Sequence, residues 1–326
     1  MLALFRTNQI ATSFLLVFYI ALLHFAPFVI EDNWEPSSYG IAASWVYSLI
    51  GYKGLNNQIL LLVLLFFQAL ILIFIDLNHK LTKDGTLFSG VFLILLSSLT
   101  VPYLHLSPTY FSNIFLLLAI NQILITYRVT GSSISIFNAG FFIGVAALFC
   151  PAYLIFIIWM FAGLNLLRGF NLKERILAIT GVLTVFILVG TYYFWMNDWS
   201  TFIRVQFLEG FGLLDFRQGN NFTFIQLSLL VVLVLIVVLS RFRVIGKKTM
   251  QVQKKIDVFY WGLLISAVVI LFQSSVQESN VLVIMPFLGL FVGMLFTNMK
   301  KNIAEMLHFV LLVIVLLLQY RPFFLP

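Results

Sequence analysis

Charge is scarce in this sequence. Only 10% of its 326 residues are Asp, Glu, Lys or Arg, against roughly 25% in soluble globular proteins. With 62% of the side chains hydrophobic, a water-solvated fold is excluded, because it has no interior large enough to hold them. Cysteine is nearly absent. Cys150 stands alone, which excludes an intrachain disulfide and a cysteine-based metal cluster. Histidine is rare too, and His24, His79, His105 and His308 show no i, i+4 pairing, so no helical metal-ligand motif is present. A Gly-rich phosphate loop and a nucleophile elbow are also missing.

What is abundant is apolar sequence in long blocks. Windows near 10–30, 56–76, 87–106, 109–127, 133–149, 151–167, 175–195, 222–240, 258–274, 281–298 and 303–320 approach the ~20 residues that a membrane-crossing helix requires. The expected fold is all-α: a polytopic transmembrane helical bundle of about eleven spans, forming a single integral membrane domain over 1–326. The stretch Ile10 to Ile30 reads as a first span, not a cleaved leader, because it ends at Glu31-Asp32 without a small-residue cleavage pattern. Two short windows meet at Cys150-Pro151, where proline favours a break because it lacks an N–H and suits a first helical turn.

Lys and Arg set the expected orientation. With the N-terminus cytoplasmic and the C-terminus extracytoplasmic, the inner side holds Arg6, Lys80, Lys83, Arg128, Arg168, Lys173, Arg175, Arg241, Arg243, Lys247, Lys248, Lys254, Lys255, Lys300 and Lys301. The outer side holds Lys53, Arg204, Arg217 and Arg321. Fifteen against four is a strong positive-inside bias and points to a multi-pass protein of the cell inner (cytoplasmic) membrane. The net charge of +7 therefore implies no nucleic acid. Its densest run, Arg241 to Lys255, lies between two spans and suits anionic lipid heads.

The outer loops carry most of the acidic chemistry. Glu31, Asp32 and Glu35 follow the first span and lead through Ser37-Ser38 into Tyr39–Ile50, read as a short interfacial helix capped by one of those serines. Trp45, Tyr47 and Tyr52 suit the headgroup layer there. Interfacial outer segments are thus expected at 31–55 and 196–221. In the second, Arg204 and Arg217 could hold a phosphate bidentately or pair with Asp198, Glu209 or Asp215. A third polar turn, 273–280, includes Glu278 and faces the same side as Tyr103 and His105. His24, late in the first span, either shares a surface with the acids or is hydrogen-bonded within the bundle. Asp76, Glu305 and Glu278 fall at helix ends, which weighs against an ion-coupled transporter.

This organisation resembles the GT-C superfamily of polyprenyl-phosphate-sugar-dependent membrane glycosyltransferases. The likeness rests on four features: Glu31-Asp32 closing the first span before a short interfacial helix, Tyr127-Arg128 ending a later span, the glycine-patterned stretch Asn138 to Pro151, and Val281 to Phe287 around Pro286. It implies Asp32 or Glu31 as catalytic base or metal ligand, a polyprenyl-phosphate-sugar donor, and a divalent metal ion in some members. Arg204 and Arg217 match no family motif and are assigned to the lipid phosphate on chemistry alone. His24, by its place late in the first span, and Glu35, His105 and Glu278, by theirs in the outer loops, complete the expected substrate-binding set. The turn Leu104 to Pro108 lacks the acid that many members carry, Ser279-Asn280-Val281 stands where a basic residue and a Tyr are common, and no large soluble outer domain follows the bundle. The chain is also similar to polytopic membrane families of Bacteroidota. Beside the enzyme reading stands a non-enzymatic accessory or assembly subunit with a membrane protein partner. A transporter or flippase ranks third, since no internal inverted repeat is evident.

Overall fold

The computed structural model describes residues 2–6, 10–28, 39–52, 54–82, 85–129, 131–212, 221–246, 248–273 and 278–320. Among them the regular structure is helical, with no strand. The first half contains α1 (Ile10–Leu23), α2 (Ile41–Ile50), α3 (Leu55–Asn78), α4 (Phe88–Leu96), α5 (Pro108–Ile125), α6 (Ser133–Phe149) and α7 (Phe156–Arg168). The second contains α8 (Leu172–Trp195), α9 (Trp199–Ile203), α10 (Asn221–Leu239), α11 (Arg241–Ile245), α12 (Met250–Leu271), α13 (Met285–Thr297) and α14 (Lys301–Gln319).

Every apolar window holds a helix, but fewer qualify as spans than the eleven expected. Among the described residues six stretches are long and apolar enough to cross a membrane: Leu55–Asn78, Pro108–Ile125, Pro151–Arg168, Leu172–Trp195, Ser279–Thr297 and Lys301–Gln319. Others are shortened by local chemistry. The nine residues of α4 reach only about 13 Å before the chain turns at 97–100 and Pro102 enters a 3₁₀ turn, Val101–Leu104. At Cys150 the helix stops as expected, and Pro151 opens a 3₁₀ turn that runs into α7.

Glycines set the closest helix contacts. On α6, a Cβ at Gly140 would lie 2.1 Å from the Ala178 carbonyl oxygen of α8, and one at Gly181 would lie 2.3 Å from that of Phe137. Gly140 and Gly144 thus permit the close packing that their spacing implies. A second seam joins α13 to α4, where Gly289 faces the Leu93 backbone and Gly293 that of Ser89. Around these contacts α13 becomes the central helix, since 94% of the Ser279–Thr297 window is buried.

Polar contacts sort the loops to two ends. At one, Arg168 donates to the Thr126 and Val129 carbonyls and Ser132 Oγ, and pairs with Glu174 at 2.9 Å, joining the ends of α5, α6, α7 and α8. There too Leu87 N–H donates to the Phe5 carbonyl and Thr86 meets Thr297. This end collects the described members of the expected cytoplasmic set, from Arg6 and Lys80 through Arg241 to Lys301. We call it the basic end. At the opposite end Gln319 Nε2 donates to the Ser98 carbonyl at 2.6 Å and Gly40 N–H to that of Phe149 at 2.8 Å.

The first interfacial segment differs from its expected form. Its helix starts at Ile41, with Gly40 and not a serine at the N-cap. Gly40 is held against α6, where a Cβ would meet the Leu148 carbonyl oxygen at 2.2 Å, so packing fixes the start. Ser37 and Ser38 lie outside the described residues. Trp45 and Tyr52 are exposed, but Tyr47 is buried and its hydroxyl donates to the Leu106 carbonyl at 2.8 Å.

Candidate functional site

The chain leaves α1 through a polar knot at the end opposite the basic loops. His24 follows Leu23 and is buried, with Nε2 3.0 Å from Ser98 Oγ. Ser98 has one hydroxyl proton, and it points to the Ile94 carbonyl at 2.7 Å. The oxygen therefore accepts from His24 Nε2–H, which leaves Nδ1 as a bare acceptor. That Nδ1 has no protein partner among the described residues, and neither do Gln319 Oε1 and Thr100 Oγ1. Buried acceptors without donors are costly and rare in native proteins. The described residues leave these acceptors unsatisfied.

Three 3₁₀ turns close around this knot. Ala26–Phe28 packs on Val101–Leu104, which in turn packs on Glu278–Ile284. Val101–Leu104 and Glu278–Ile284, which overlap the turns at 103–110 and 273–280, thus lie together, a convergence the sequence left open. His105 directly follows Val101–Leu104 and so belongs to the same end. Asn113 ties the group to α5, donating to the Leu282 carbonyl at 2.9 Å and accepting from the Tyr153 hydroxyl at 2.7 Å.

The other expected site residues fare differently. Glu31, Asp32, Glu35 and Arg217 lie outside the described residues, as does the side chain of Glu278. Arg204 begins a π-helical turn, Arg204–Leu208, and faces Glu209 at 3.7 Å with both side chains about two-thirds exposed (63% and 64%). Pairing is what the geometry gives it, and so exposed a pair adds little stability. Within that turn Gln206 is wholly buried, bonding to Ile41 N–H and the Ala147 carbonyl. The described part of 196–221 is thus fastened to α2 and α6. Among the described residues no group of three or more His, Cys, Asp or Glu side chains is placed to hold a metal ion.

A second polar cluster, at the basic end, escaped the sequence reading. Lys255 Nζ lies 2.9 Å from His79 Nδ1, and His79 Nε2 lies 3.0 Å from Asn121 Oδ1. An ammonium can only donate, so Nδ1 accepts and Nε2–H passes to the amide oxygen. Burial, reinforced by the Lys255 charge, pushes His79 down to about 4, although the Asn121 bond opposes this. Burial also lowers Lys255. Because the folded protein resists protonating His79 while an unfolded chain accepts a proton near 6.5, this contribution to stability is complete above about pH 6.5 and declines as pH falls toward 4. Thermal unfolding in detergent across that range is expected to show the decline, and His79→Gln to flatten it.

An all-helical bundle with long apolar helices and charge sorted to one end defines the class: a membrane-embedded, multi-pass protein. No family model, curated protein or solved structure matches the chain.

Proposed function

We propose that the protein is a membrane enzyme that transfers a sugar from a polyprenyl-phosphate donor, in the manner of the GT-C glycosyltransferases, at the end of the bundle opposite its basic loops. The observation that carries this reading is the knot beside the first loop, where His24 Nδ1 and Gln319 Oε1 are buried acceptors awaiting donors. Sugar hydroxyls are such donors. Glu31 and Asp32 begin seven residues beyond His24, so the same loop supplies a carboxylate. On this reading Asp32 or Glu31 takes the proton of an acceptor hydroxyl, whose oxygen attacks the anomeric carbon in line and inverts it. The bond to the lipid phosphate breaks, and a cation, Arg217 or an Arg204 released from Glu209, stabilises the departing oxygen. On the same reading His105, Glu35 and Glu278 belong to the substrate-binding set.

The test is transfer from a labelled polyprenyl-phosphate sugar by purified protein in vesicles. Wild type is expected to transfer the label, and His24→Ala to raise KM while the protein still elutes as one folded species. If wild type transfers no label from any polyprenyl-phosphate sugar, the reading fails.

A further inference from the structure

The basic end carries a cavity that the proposed chemistry does not use. It has a volume of about 470 Å³ and lies between the C-terminal end of α3, the loop after it and the start of α12. Its lining combines two ammonium groups, Lys80 and Lys248, with the hydroxyl residues Thr82 and Thr249 and the apolar side chains of Leu77 and Val252.

One of the cations is anchored and the other is exposed. Lys248 is half-buried and donates to the Leu81 carbonyl, which anchors its stem across the cavity floor. Lys80 takes a left-handed backbone (φ 52°), so the chain turns sharply as it leaves α3. A carboxylate stands behind the wall: Asp76 is buried, its Oδ1 accepts from both the N–H and the hydroxyl of Thr82 at 3.0 Å, and its charge also acts on Lys248. Thr249 precedes α12 and forms no cap bond with its side chain. Its hydroxyl therefore adds a donor to the two ammoniums.

We infer that this cavity binds a phosphate group, most readily that of an anionic phospholipid in the leaflet facing the basic end. Two point charges and a hydroxyl suit phosphate oxygens. Leu77 and Val252 give the cavity an apolar border near the polar ends of α3 and α12, whose apolar stretches begin one to two turns further into the bundle and are where acyl chains can lie. A zwitterionic lipid offers the same phosphate, but its own ammonium competes with the lysines. A free phosphate ion offers the charge without the chains.

The experiment uses the full chain in neutral detergent, titrated separately with phosphatidylglycerol, phosphatidylcholine and inorganic phosphate while thermal unfolding is followed. A ligand that binds only the folded state raises the midpoint in proportion to its affinity. Phosphatidylglycerol is expected to raise it and phosphatidylcholine to leave it unchanged. Lys80→Gln should weaken the apparent affinity about tenfold, as expected for losing one charged hydrogen bond, and Lys80→Gln with Lys248→Gln should abolish the shift. Should the double variant fail to fold because Lys248 anchors a loop, Lys80→Gln with Thr249→Val replaces it. Lys300→Gln with Lys301→Gln removes the same charge from the same end outside the cavity, and is expected to keep the shift. A shift by inorganic phosphate that is lost in the cavity variants supports the same site with a soluble source. Equal loss in the Lys300 and Lys301 variant, or no shift in wild type with either anion, overturns the inference.

Discussion

Gly140→Ala and Gly181→Ala are each expected to lower the unfolding midpoint sharply, and together to leave no monodisperse protein. The atoms opposing the new methyl groups are backbone carbonyl oxygens, at 2.1 Å and 2.3 Å. No rotamer change can move a carbonyl, so α6 and α8 must separate along a seam where Gly144 also meets Val182 and Val185. Overpacking of this kind costs about 1–3 kcal/mol per site, and helix contacts in lipid depend on such close approach. Gly163→Ala is the control. Its new methyl would meet only side-chain carbons of Ile123 and Val258 at 3.4 Å, and alanine favours the helix by about 1 kcal/mol. Its midpoint should hold or rise. Thermal unfolding and size-exclusion profiles of the variants decide the matter; a Gly140→Ala protein as stable as wild type would show that the seam is looser than described.

On the proposed glycosyltransferase reading, Glu31→Ala with Asp32→Ala is expected to reduce transfer by about 10²- to 10⁴-fold, the usual contribution of a positioned general base. The loss should fall on kcat, since the carboxylate acts on the acceptor proton in the transition state and does little to hold the donor. Single variants separate the roles: the base is the residue whose replacement alone reproduces the double loss. The unfolding midpoint should not change. Full transfer by a folded double variant would remove the first loop from the chemistry.

Much of this architecture was legible in the sequence because lipid imposes a simple code. Long apolar blocks had to become helices, and the helix observed in each window follows from that requirement. Pro151 was legible as a break because proline removes a backbone donor wherever it occurs. Gly140 and Gly144 advertised a close contact but not its partner, since Gly181 on α8 carries no pattern of its own. The central position of α13 was hidden for a related reason. In lipid, a helix facing neighbours and a helix facing acyl chains have equally apolar surfaces, so composition does not separate them. Tyr47 misled in the same way. An aromatic with a hydroxyl suits the interface, yet this one is buried, with its hydroxyl on the Leu106 carbonyl.

The candidate site was legible only in outline. That the 103–110 turn and the late polar turn share a side followed from counting crossings. That His24 lends one nitrogen to Ser98 and keeps the other bare depends on a bond between residues 74 positions apart, which no local pattern encodes. The His79–Lys255 contact spans 176 positions and was equally invisible, although Asp76 and His79, three apart at the end of α3, were a visible polar pair.

The burial of α13 has a consequence for how the chain is made. Its glycine seam needs α4, which emerges from the ribosome almost two hundred residues earlier. Until then the face of α4 at Ser89 and Leu93 lacks the helix that packs on it. The core of this protein therefore closes late in synthesis, when one of the last helices slides between partners already in place. Assembly, more than insertion, is the step at which a nascent copy is most exposed to quality control.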